Sequence, residues 1–153
     1  MLPCSPQHAS QPAVGQSGWE TFPHDADIGV RGYGATCAEA FAMAALALVS
    51  VAVDPEGVRC LEGRKIACQA DDPVVLLVDW LNAIIVEISA GRLIFGRFRV
   101  AIQDGRLDGE AWGEPIDIVR HHPAAEPKGA TFTEARVARE PEGRWVAQCV
   151  VDV

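Results

Sequence analysis

The period of the apolar residues changes at Gly91, and that change limits the folds open to the chain. Two helical stretches precede it and only strand-like stretches follow. The second helical stretch is the clearer. Asp72-Pro73 is a helix start, with Asp as N-terminal cap and Pro at the first helical position, where its missing N–H is not needed. Val74, Leu77, Val78, Leu81, Ile84, Ile85 and Ile88 recur at helical spacing, and Gly91 is expected to cap the end. Asp79, Asn82 and Ala83 fall off this stripe, so they should be solvated or touch another part of the chain. The first stretch opens on Thr36-Cys37-Ala38-Glu39, a capping box in which hydroxyl and carboxylate each accept from a backbone N–H without a helical partner. It carries Phe41, Ala44, Ala45, Leu48, Val49 and Ala52, and it stops at Asp54-Pro55, since Pro disfavours helix at the residue before it.

The strands are read from alternation and turns. From Asp27 to Tyr33, Ile28, Val30 and Gly32 share one face, and Asp27, Gly29, Arg31 and Tyr33 the other. Arg59 to Gln69 suits one or two short strands broken at Glu62-Gly63. Leu93–Ile102 and Arg106–Trp112 flank Asp104-Gly105, a strong hairpin signal. Glu114 to Glu126, with His121-His122, reads as a solvated loop, and Gly129–Ala138 and Arg144–Val151 as the last two strands. The order strand, helix, strand, helix, then antiparallel strands predicts an α+β fold. Two helices should pack on one face of a mostly antiparallel β-sheet, as a two-layer single domain. A chain of 153 residues is one domain by length and needs no disulfide or metal to fold. Residues 1–18, rich in Ser, Gln, Pro and Gly, read as a disordered tail before a folded domain at 19–153.

Charge and cysteine usage narrow the function classes. A net charge of −8 argues against direct, strong nucleic-acid binding, which rests on clustered Lys and Arg. No apolar run is long enough for a membrane span, and the N-terminus lacks a secretory pattern. The five cysteines at 4, 37, 60, 68 and 149 are scattered without a CxxC, so reduced thiols in a cytoplasmic protein are expected. The chain has no P-loop, no dinucleotide fingerprint and no Ser-His-Asp spacing.

One stretch breaks the pattern. His24, Asp25 and Asp27 stand where the chain should be entering its core. The far end, Val150-Val151-Asp152-Val153, adds an acid and the terminal carboxylate to an apolar strand. If the two ends meet, they form a small site of hard oxygen donors, suited to Ca²⁺, Mg²⁺ or Mn²⁺ rather than zinc or copper. His24 has no second His at the spacing of a zinc site, and Asp25 also reads as a turn former. Lys128, just before a strand, suits either a plain surface lysine or a phosphate contact near the carboxylates. An alternative is a small metal-dependent phosphoester hydrolase using Asp25 and Asp27 as paired carboxylates, although no nucleophile or general acid stands beside them.

Five motifs occur together: His24-Asp25-Ala26-Asp27-Ile28-Gly29, Leu77-Val78-Asp79-Trp80-Leu81-Asn82, Gly113-Glu114-Pro115, Lys128-Gly129-Ala130-Thr131 and the Val151-Asp152-Val153 end. With these the chain resembles the archeases from about Trp19 to Val153. The resemblance implies a non-catalytic protein cofactor of an RtcB-type RNA ligase. Such a cofactor promotes the ligase's metal-dependent guanylylation and its multiple turnover in tRNA splicing and RNA repair. It also implies a divalent-metal site, Ca²⁺ foremost, at Asp27, Asp152 and the carboxyl-terminal Val153. Lys128 falls on the lysine needed for ligase activation, with Asp25 and His24 as accessory positions. The chain departs from the family pattern at Asp25, where Thr is usual, and at Phe132-Thr133, where a Tyr-His pair is common.

Overall fold

The computed structural model describes residues 17–153. The disordered tail expected at 1–18 lies, up to residue 16, outside the described residues, and Gly18 already belongs to the first strand. The elements run β1 (Gly18–His24), β2 (Asp27–Gly34), α1 (Cys37–Ala52), β3 (Glu62–Gln69), α2 (Pro73–Ser89), β4 (Leu93–Gln103), β5 (Arg106–Pro115), α3 (Ile118–His121), β6 (Gly129–Ala130), β7 (Arg136–Arg139) and β8 (Trp145–Asp152). The class is α+β, with every strand pair antiparallel. The strands divide between two sheets: β1-β2-β8-β6, with β7 also on β8, and β3-β5-β4.

Helix α1 explains the division. It packs on β1, β2 and β8 of one sheet and on β4 of the other. Every residue from Ala40 to Val49 is buried, so the helix has no solvated face. The apolar stripe read from the sequence is one side of a helix that is apolar all round, as an inner helix must be. Small residues let the backbone approach. A side chain at Gly32 would overlap the α1 backbone at Ala40 and Ala44. Thr36 caps α1 by accepting from the Glu39 N–H at 3.1 Å. The Glu39 carboxylate accepts from the Ala35 N–H at 3.1 Å, one residue earlier than in the standard box.

Helix α2 starts as the sequence indicates, with Asp72 accepting from the Val74 N–H at 2.8 Å. Its buried face is wider than the stripe, because Leu76 and Trp80 are buried too. The Trp80 indole N–H donates to the Phe41 carbonyl at 3.1 Å and ties α2 to α1. The end of α2 corrects one expectation. Gly91 does not take the left-handed conformation; Arg92 does, at φ 53°. Gly91 is needed instead for close approach, since a Cβ there would lie 2.6 Å from the Glu87 carbonyl oxygen. The Asp104-Gly105 hairpin forms as expected, with φ of 53° and 76° at its two turn residues.

Three further readings change. Residues 18–24 form a full strand, so Asp25-Ala26 is the tip of a hairpin rather than a loop leading into the first strand. The stretch Gly129–Ala138 is not one strand: β6 and β7 pair with opposite ends of one edge of β8, interrupted by a turn with Glu134 at φ 53°. Cys37, Cys68 and Cys149 are free thiols. Cys60 is disulfide-bonded, contrary to the all-reduced expectation, and Cys4 lies outside the described residues.

Candidate functional site

The two ends of the folded domain lie side by side. Strands β2 and β8 pair antiparallel, with Ile28 opposite Val151. Carried on by one residue, that register sets Asp27 opposite Asp152. His24 lies opposite Asp27 on the other side, and Gly129 opposite Asp152. One row, His24–Asp27–Asp152–Gly129, therefore crosses four strands on the sheet face away from buried Val30 and Val151. The period of two puts the acids out because it turns the aliphatic neighbours in.

Hydrogen bonds hold the row. The Val153 N–H donates to Asp27 Oδ1 at 3.3 Å. The Lys128 N–H donates to the Asp152 carbonyl at 2.8 Å, which seats Lys128 beside the end of β8. Asn82 reaches across from α2, accepting from the Ala130 N–H at 2.9 Å and donating to the Ala130 carbonyl at 3.3 Å. This is the outside contact expected of a residue off the α2 stripe. Thr131 adds a hydroxyl bond to the Val150 carbonyl at 2.8 Å. Phe132 and Thr133 lie in the turn between β6 and β7, with Phe132 exposed and the Thr133 carbonyl accepting from the Val150 N–H at 3.0 Å.

The site is acidic and open. Asp152 and Lys128 are exposed, and Asp27 and Val153 half-buried. Like charges directly opposite on neighbouring strands repel, and a cation beside Asp27 and Asp152 would relieve that repulsion. The donors are all hard oxygens, matching Ca²⁺, Mg²⁺ or Mn²⁺, and they are fewer than the roughly 6–8 that Ca²⁺ takes. Among the described residues no three His, Cys, Asp or Glu side chains converge. An ion held here would take the remaining ligands from water or a partner. Asp25 stands apart at the hairpin tip, φ 50°, with its side chain 94 % exposed. It serves as the turn residue, and the His24 ring lies 4.0 Å from its carboxylate.

A second polar cluster was not legible as such. Glu114, at the end of β5, is buried; its carboxylate accepts from the Arg59 N–H at 2.6 Å and pairs with Arg120. His121 is buried against it rather than solvated in a loop, with Nε2 3.1 Å from Glu114 Oε2. His121 Nδ1 accepts from the Asp117 N–H at 2.8 Å, so the ring proton of the neutral form sits on Nε2 and points at Glu114. Burial pushes the Glu114 carboxyl up, but Arg120, the Arg59 N–H and His121 outweigh it, and its pKa lies below the usual value. Asp117 capping the short α3 was the available signal, since an Asp before Ile-Val-Arg-His is a helix start.

The sequence matches the Archease protein family (MTH1598/TM1083) over residues 19–153. It is 40% identical over 139 residues to protein archease of Thermococcus gammatolerans, covering 88% of this chain and 98% of that one. It is 39% identical to protein archease of Pyrococcus furiosus, over the same shares of the two chains. The fold superposes on the solution structure of Methanobacterium thermoautotrophicum protein 1598 with a TM-score of 0.76 at 31% identity, over 89% of this chain and 99% of that one. The chain belongs to the archease family.

Proposed function

We propose that this protein activates an RtcB-type RNA ligase, in tRNA splicing and RNA repair, by promoting the metal-dependent guanylylation of the ligase. The observation that carries the reading is the pairing of β2 with β8, which brings Val153 into hydrogen-bond contact with Asp27 in the row that also holds Asp152. Such a donor set binds a divalent cation incompletely, and Ca²⁺, Mg²⁺ and Mn²⁺ fit it by chemistry. An incomplete shell suits presentation of the ion to a partner that supplies the rest. Lys128, whose N–H is bonded to the Asp152 carbonyl, would supply the cation that meets a phosphate oxygen once the partner is docked. The net charge of −8 favours encounter with a cationic nucleotide pocket over contact with free RNA. The hydrolase alternative loses its premise, because Asp25 and Asp27 occupy different parts of the hairpin and Asp25 points to solvent.

The test follows transfer of labelled GTP to the ligase. Wild type should speed labelling. Lys128→Ala should fold and bind the ion, yet speed it less, and Asp27→Ala should fail at both. Acceleration of sealing by an already guanylylated ligase, without acceleration of labelling, would sink the proposed step.

A further inference from the structure

A second feature of the molecule is not used by the activator reading. The segment leading into Lys128 forms one wall of an apolar groove of about 220 Å³. Ile88, Ile94, Ile116 and Ile118 line it together with Arg92 and Glu126. A shallower cleft of about 510 Å³ adjoins it, sharing Arg92, Ile116 and Ile118 and adding Arg59 and Arg120. Three arginines thus line one cleft on a chain whose net charge is −8. Arg120 is engaged by Glu114 and by the Gly57 carbonyl at 3.0 Å. Among the described residues, the guanidiniums of Arg59 and Arg92 have no ion-pair or hydrogen-bond partner. The acids of the same cleft have other work: Glu114 holds Arg120, His121 and the Arg59 N–H, and Asp117 caps α3.

The backbone points the same way. Arg92 holds φ 53°, a conformation few non-glycine residues adopt, so a charged side chain stands where glycine would be the unstrained residue. On α3, Ile118 and Val119 are 68% and 80% exposed at the margin of the cleft.

We propose that groove and cleft together are a docking site for an extended segment of a protein partner that carries an aliphatic side chain followed within a few residues by a carboxylate. The aliphatic group fills the groove among the isoleucines. The carboxylate lies against Arg92 and Arg59, whose planar forks match it bidentately. Glu126 lines the groove but not the arginine cleft, so it repels a carboxylate entering the other way round and sets the direction of the segment. RNA is the weaker occupant, because the lining has no aromatic face for a base to stack on. None of Asp27, Asp152 or Lys128 lines either hollow, so the inference stands or falls apart from the metal reading.

The test is an NMR titration of the full chain, labelled at isoleucine methyls and arginine Nε, with the blocked peptide Gly-Leu-Gly-Glu-Glu-Gly. The Ile88, Ile94 and Ile116 methyls and the Arg59 and Arg92 Nε–H signals should shift saturably. The same peptide with Gln for Glu should bind about tenfold more weakly, as expected for loss of a charge-assisted pair. Arg59→Gln with Arg92→Gln should weaken the acidic peptide as much, with the Ca²⁺ response unchanged. Arg92→Gly should raise the melting temperature while losing discrimination between the peptides. The absence of saturable shifts, or equal binding of the Gln peptide, overturns the proposal. Stronger shifts with hexauridylate overturn it too and mark the cleft as a phosphate site.

Discussion

The backbone N–H of Val153 donates to the carboxylate of Asp27 at 3.3 Å, so the last residue of the chain is tied to the first acid of its second strand. The bond separates two roles of Asp27. Asp27→Asn keeps an acceptor for Val153 and removes the charge. It should leave the ion-free melting temperature nearly unchanged and abolish its rise with Ca²⁺ or Mn²⁺, which follows mass action on the folded state. Asp27→Ala should lose the ion response and also about 1 kcal/mol of ion-free stability. Asp152→Ala should lose the ion response alone, since Lys128 bonds to its backbone carbonyl. Calorimetric titration of the three variants checks this; undiminished ion binding in Asp27→Asn and Asp152→Ala would remove the site.

An extension beyond Val153 should matter for the same reason. A carboxyl-terminal extension turns the Val153 carboxylate into an amide and places new chain across the row. Ion affinity and ligase activation should fall, whereas an amino-terminal extension should leave both intact. Equal activity of the two forms in the guanylylation assay would reduce the end to a strand terminus.

Asn82 should act at a distance on Lys128. Its two bonds to Ala130 fix the strand that begins one residue after Lys128. Asn82→Ala leaves the Ala130 N–H and carbonyl without these partners and should lower stability by about 1–2 kcal/mol. Amide exchange should quicken at Gly129 and Ala130 first. Exchange that rises only with global unfolding would refute a local role.

Acid should loosen the Glu114 cluster. The folded pKa of Glu114 is depressed, so between that value and its ordinary 4.5 the unfolded chain binds more protons than the folded one. Its contribution is complete above the unfolded value and is lost as the pH falls through the folded one. Glu20 behaves alike: burial pushes its carboxyl up, but the Tyr33 hydroxyl, at 2.6 Å, and the Arg31 guanidinium, at 2.7 Å, bring it below the usual value. Urea titrations from pH 7 down to pH 3 should show stability falling with pH in wild type, and falling less steeply in Glu114→Gln. An identical slope in the variant would clear Glu114 of the effect.

Elements whose cause is local are legible from neighbouring residues alone. Asp72-Pro73, Thr36 with Glu39, and Asp104-Gly105 act through bonds and torsions within a few residues, so their helices and hairpin stand where their spacing puts them. The outward phase of Asp27 is local too, since the side-chain period of a strand turns it out wherever Ile28 turns in. The remaining features depend on residues far apart in the chain. Whether α1 has a solvated face is settled by how many layers cover it, and the second sheet, β3-β5-β4, supplies the other cover. His121 looked like a loop residue because the Glu114 carboxylate that buries it lies across a turn of irregular backbone that leaves no periodic trace. The left-handed residue after α2 is Arg92 rather than Gly91, because the chain passes too close to the Glu87 carbonyl for a side chain at 91. The meeting of Asp27 with Val153 was suggested by composition at the two ends, but the register that sets Asp27 opposite Asp152 exists only once β2 and β8 pair.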